Sequence, residues 1–151
     1  MKGKIMENTP YQNVAGEYLA NGWDILPLPL RSKKTPPKGY TGEDAIEIDE
    51  ELALGDWMET GGNIALRLPD GVIGIDIDSY KDGGTTLKRL IKKLGALPET
   101  IGITSRASVD DGVTLFFAVP LGARFKGSEG SIDIIQKHHR YSVAPPSIHP
   151  E

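Results

Sequence analysis

Apolar positions along this chain change period several times, and each change marks an element. In residues 11–22, YQNVAGEYLANG, Val14, Tyr18 and Leu19 recur at helical spacing and Gly22 supplies a stop. Residues 23–30, WDILPLPL, read as a short strand whose prolines suit a sheet edge or an exit. Residues 31–44, RSKKTPPKGYTGED, have the composition of a loop and carry Arg31, Lys33, Lys34 and Lys38. Residues 49–58 predict a short helix with an acidic first turn. NIALRL and VIGIDID flank Pro69-Asp70-Gly71, a hairpin signal. The clearest helix covers 85–97, with Leu87, Leu90, Ile91 and Leu94 in one stripe and Lys88, Arg89, Lys92 and Lys93 facing out. Gly95 and Pro98 end it. Residues 100–105, 112–119, 131–136 and 140–144 predict further strands. A hairpin, a crossover helix and more strands make an α+β domain with one or two sheets.

Composition narrows the picture. At 151 residues the chain fits a single domain over 1–151, with residues 1–10 expected to be flexible. No apolar run approaches the roughly 18 residues that span a membrane, so no membrane partner is expected. The start, MKGKIMENTPYQ, lacks the apolar core of a secretory signal. The absence of cysteine excludes disulfides and thiolate zinc sites and fits a cytoplasmic protein. A net charge of -4 gives no global attraction for nucleic acid, which leaves that role to local basic patches.

The residues that resist a purely structural reading are Asp76 and Asp78, inside the β-branched run GVIGIDIDSY. Side chains alternate along a strand, so the two carboxylates share a face, roughly 7 Å apart, while Ile75 and Ile77 take the core face. Like charges so close repel, and partial burial raises the cost. Either one carboxylate takes a proton or a basic partner, or a divalent cation sits between them. Hard cations such as Mg²⁺ or Mn²⁺ prefer carboxylate oxygens. Asp133 is a third candidate, because it interrupts an otherwise apolar strand. Its alternative fate is a salt bridge to Lys137 or Arg140. Asp110 and Asp111 lie in SVDDGV, which reads as a solvated turn.

Four stretches occur in an order that resembles the bifunctional primase/polymerase N-terminal family, the prim-pol branch of the archaeo-eukaryotic primase superfamily. They are NGWDILPLPLRSKKTPP, GNIALRLPDGVIGIDID, TSRASVDDGVTLFFAVP and IDIIQKHHRYSVAPPSIHP, and the likeness covers roughly residues 12 to 150. It is greatest to versions from phages and mobile elements. The resemblance implies a prim-pol catalytic core with mixed or antiparallel sheets flanked by helices. It implies that Asp76, Asp78 and Asp133 hold Mg²⁺ or Mn²⁺ for two-metal nucleotidyl transfer from nucleoside triphosphates on a DNA template. Ser105, Arg106, His139 and Lys34 are implied to contact the nucleotide, and Arg67, by its direction on the strand, is placed to reach nucleotide or template. Adjacent histidines of a continuing strand point to opposite faces, so only one of His138 and His139 is expected to face the site. The family also implies DNA replication, a replicative helicase as partner, and a bacterial or phage-infected cytoplasm.

Two departures weigh the other way. Many relatives carry a histidine where Thr114 stands, and family domains run on past the PPS-x-H motif, whereas this chain stops at Glu151. The expected domain is therefore short at its C-terminal end, with activity reduced. The rival expectation is a non-catalytic nucleotide- or nucleic-acid-binding accessory domain of a replication complex.

Overall fold

A computed structural model describes residues 7–151. The flexibility expected for 1–10 falls in part on residues 1–6, which lie outside the described residues. The described chain forms two compact units, one from residues up to 40 with 46–66 and 143–151, the other from 41–45 and 67–142.

The first unit opens with α1 (Pro10–Ala20). Thr9 and Gln12 close a reciprocal capping box, which satisfies amides that the first helical turn leaves unpaired. Behind it lie β1 (Asp24–Leu28), α2 (Glu50–Leu54), α3 (Asp56–Thr60), β2 (Asn63–Arg67) and β8 (Ser142–Ala144), with the three strands in the order β1-β2-β8. The edge position of β1 is where a strand holding Pro27 is tolerated. One helix was expected over 49–58; two short ones form, because Gly55 leaves helical geometry at φ -107 and ψ -102. Tyr11 is fully buried and donates its hydroxyl proton to the Ala53 carbonyl at 2.9 Å. Burial of Tyr11, Ile25, Leu26, Leu28 and Ile64 is worth about 1.5–3 kcal/mol for each large side chain. Asn63, also fully buried, donates to the Ile148 carbonyl and accepts from the Ile148 amide, which ties the C-terminal PPSIHP stretch to β2.

The second unit is a five-stranded antiparallel sheet with the order β4-β5-β3-β7-β6. Its strands are β3 (Val72–Ile77), β4 (Gly102–Ile103), β5 (Val113–Ala118), β6 (Ser128–Glu129) and β7 (Ile132–Ile135). The two-residue strand β6 was not foreseen. Ile73, Ile77, Phe116, Ile132 and Ile135 are buried, and Ile75 is half-buried. The hairpin expected at Pro69-Asp70-Gly71 does not form. β2 and β3 belong to different sheets, and β3 has both edges occupied, by β5 and β7. The turn residues are instead tied to the end of β5. The Asp70 carboxylate accepts from the Gly122 amide, and the Gly71 carbonyl accepts from Val119.

Helix α4 (Thr85–Leu94) is the helix expected, stopped by Gly95 at φ 91. Its apolar stripe is not core, however. Leu87 and Leu90 are half-buried, while Ile91 is 40% and Leu94 75% exposed. The helix is anchored by its first turn instead. Thr86 is buried, its hydroxyl donates to Asp82 and accepts from the Ser131 amide. Gly130, at φ 57, passes so close to Thr86 that a side chain there would collide with it. Among the described residues no helix is long and apolar enough to cross a membrane.

Candidate metal centre

The central position of β3 is what builds the site. Asp76 pairs in register with Asp133 on one neighbour, β7, and with Thr114 on the other, β5. Directly opposed residues of antiparallel strands present their side chains to the same face. One row across the sheet therefore reads Thr114, Asp76, Asp133. Asp78 lies one residue past the end of β3, where its amide donates to the Ser131 carbonyl. Oxygens of Asp76, Asp78 and Asp133 all lie within 4.8 Å of one another. Gly74, two residues back on the same face, brings no side chain of its own. The Thr114 methyl and Ile135 crowd its empty position at 3.2 and 3.4 Å, which helps to wall in Asp76.

The electrostatics follow from that packing. Burial raises the Asp76 pKa above the usual carboxylate value. The hydroxyl of Thr114, which donates to Asp76 Oδ1 at 2.8 Å, opposes the rise, and the Asp78 and Asp133 charges add to it. Asp78 takes a hydrogen-bonded ion pair from Lys81, whose own pKa is raised chiefly by that bond. Arg140 Nη1 lies 3.4 Å from Asp133 Oδ2. The salt bridge foreseen as one fate of Asp133 is thus present, and it coexists with the acidic cluster.

Three converging carboxylates, one of them partly desolvated, are a donor set of hard oxygens carrying a charge penalty that a divalent cation offsets. The residues present fit Mg²⁺ or Mn²⁺.

The remaining sequence-derived residues divide into three groups. Arg106 borders the acids. A Cβ added at Gly112 would sit 3.5 Å from Arg106 Cγ and 3.8 Å from Asp78 Oδ1. The Arg106 guanidinium stacks on the exposed ring of Tyr80, 3.6 Å from its centroid. Ser105, beside it, is exposed. His139 lines an open cleft of about 300 Å³ with Glu43, Arg124, Phe125, Gln136 and His138. His138 and His139 both line this cleft, and the alternation expected of a continuing strand has no strand to act on. Residues 136–139 close a turn, with Gln136 and His139 exchanging backbone bonds, so strand alternation does not apply. Lys34 and Arg67 make up the third group. Lys34 is exposed in a loop of the first unit. Arg67 is 4% exposed and is engaged in interactions of its own.

Sequence reasoning missed Lys81 and Tyr80, and it met Thr114 only as the place of a missing histidine. Lys81 was findable, since a base three residues after Asp78 in a tight turn can reach back to it. Thr114 was not, because its partner is set by the register of β3 on β5.

The fold and site define an α+β domain with a three-carboxylate cluster at the centre of an antiparallel sheet. The family described as bifunctional DNA primase/polymerase, N-terminal, matches residues 15–151, and the chain belongs to that family. Its domain is of primase/polymerase type. Enzymes of this family typically depend on a divalent metal, and the acidic triad is present in this chain. No curated protein matches the chain.

Proposed function

We propose that the protein is a DNA primase/polymerase module that joins nucleotides from nucleoside triphosphates on a DNA template with Mg²⁺ or Mn²⁺. The observation that carries this reading is the convergence of Asp76, Asp78 and Asp133 in a chain of the prim-pol family. The bound cations supply charge neutralisation for the attacking hydroxyl and the leaving pyrophosphate. The chain's own residues do the rest. Asp76, Asp78 and Asp133 hold the ions. Thr114 fixes the orientation of Asp76 through its hydroxyl. Arg106, stacked on Tyr80 beside Asp78, offers a guanidinium to phosphate oxygens, and Ser105 a hydroxyl. His139 contributes a further nucleotide contact from its cleft, and Lys34, from the family pattern, and Arg67, from its place on β2, complete the set. The exposed bases of α4, Lys88, Lys92 and Lys93, with the loop 31–38, supply template contacts. The lack of cysteine accords with work in a reducing compartment such as the cytoplasm.

A second reading has an observation of its own. Asp78 and Asp133 already have basic partners, as they would in a module that binds nucleotide without polymerising it. One assay separates the two readings. Purified protein with template, labelled nucleotides and Mn²⁺ is expected to yield oligonucleotides, and Asp76→Ala to yield none. Equal product from the two proteins overturns the enzymatic reading. Metal-dependent triphosphate binding without product favours the second.

A further inference from the structure

Each of the three acids has a different partner. Lys81 Nζ donates to Asp78 Oδ2, Arg140 Nη1 stands 3.4 Å from Asp133 Oδ2, and Asp76 has the neutral Thr114 hydroxyl. The acids are sunk and the bases are not. The Asp78 and Asp133 side chains are 19% and 13% exposed, against 49% for Lys81 and 52% for Arg140. Both bases thus cap the cluster from its solvent side.

From this we propose that Lys81 and Arg140 are resident counter-ions, which a divalent cation displaces from the carboxylates and which then bind the triphosphate. The inference rests on the function proposed above, since it assigns roles within that same site. Four physical points carry it. A metal ion and these bases compete for the negative charge of the same two carboxylates, so neither pairs with them at full strength while the other is present. Displacement costs little desolvation, because half of each base is already in water. Lys81 lies 5.8 Å from the Tyr80 ring centroid while paired with Asp78, so the ring is within reach of its ammonium when the ion pair opens. Arg140 is held at the rim by its backbone, since it follows the closed 136–139 turn directly at φ 67. Once freed, the ammonium and guanidinium stand on the side from which a triphosphate must approach buried acids. There they make charge-assisted hydrogen bonds to phosphate oxygens. Metal and triphosphate binding then reinforce each other, because each relieves the other's competitor.

The test is calorimetric and needs no turnover. Mn²⁺ is titrated into wild type, Lys81→Ala, Arg140→Ala and Asp76→Asn. A non-hydrolysable nucleoside triphosphate analogue is then titrated at saturating Mn²⁺. Loss of a base is expected to tighten Mn²⁺ binding by about threefold or more and to weaken the analogue by about tenfold. Lys81→Arg is expected to keep both near wild type. A structural salt bridge alone would give no such opposite signs. Mn²⁺ affinity unchanged or weaker in both alanine variants overturns the inference, and so does unchanged affinity for the analogue. If wild type binds Mn²⁺ no better than Asp76→Asn, the proposed function falls and takes this inference with it. If that difference is present but the alanine variants show no exchange, only the inference falls.

Discussion

Asp76 is the most costly residue of the site when no cation is bound. Burial and two neighbouring carboxylates raise its pKa, so its ionised form is disfavoured in the fold relative to the unfolded chain. The sign follows directly. As pH rises from the unfolded carboxylate value of about 4 through the raised folded value, this group subtracts stability from the metal-free protein. Asp76→Asn is therefore expected to raise the metal-free melting temperature by a few degrees at neutral pH while abolishing the gain that wild type shows with Mn²⁺. Thermal melts with and without the ion check both halves, and an unchanged Mn²⁺ gain contradicts the assignment. Thr114→Val keeps the shape but removes the donor from a carboxylate. It is expected to cost about 1 kcal/mol, read from denaturant midpoints. Much of this residue-level picture was legible in the sequence. Alternation put Asp76 and Asp78 on one face, and a charge inside an apolar strand singled out Asp133. Thr114 stayed hidden, since nothing local says which residue of a strand 38 positions away will stand opposite Asp76.

At the scale of elements, local signals were read well and pairings were not. The stop of α4 was read from Gly95, whereas the capping box of Thr9 and Gln12 that starts α1, though it acts within one turn, went unread. The turn at 69–71 was misread because hairpin chemistry says only that a turn forms. Whether the flanking strands pair depends on which edges other strands have already taken. The exposed stripe of α4 has the same origin. Helical periodicity marks an apolar face, but the anchoring of this helix is done by Asp82 and Thr86 before the stripe begins. Asp82 accepts from the Thr86 hydroxyl and amide and from the Gly84 amide, and these bonds hold its pKa down to about 2. A carboxylate held low adds stability above its unfolded value of about 4 and loses it as pH falls through about 2. Asp82→Asn is thus expected to melt earlier than wild type at neutral pH, with the gap closing below about pH 4. A gap that persists unchanged to pH 2 contradicts the assignment.

Taken as a whole, the molecule carries a net charge of -4 and still has one strongly basic face on α4. The family likeness was readable because four short motifs occur in order, and the match over residues 15–151 bears it out. The division into two compact units was not readable, because chain segments distant in sequence make up each unit. The proposed binding of a DNA template through α4 belongs to this scale, since it depends on local charge opposing the global one. Replacing Lys88, Lys92 and Lys93 together by Gln is expected to weaken DNA binding and to flatten its dependence on salt. The slope of log affinity against log salt should fall by roughly 2–3. Unchanged DNA affinity would remove α4 from the template path. The central claim concerns the acids, and a crystal soaked with Mn²⁺ and a triphosphate analogue tests it most directly. The expected result is an anomalous peak bounded by the carboxylates of Asp76, Asp78 and Asp133, with Lys81 and Arg140 turned to the phosphates. Density showing both bases still seated on the acids, with no Mn²⁺ between the three carboxylates at saturation, would contradict it.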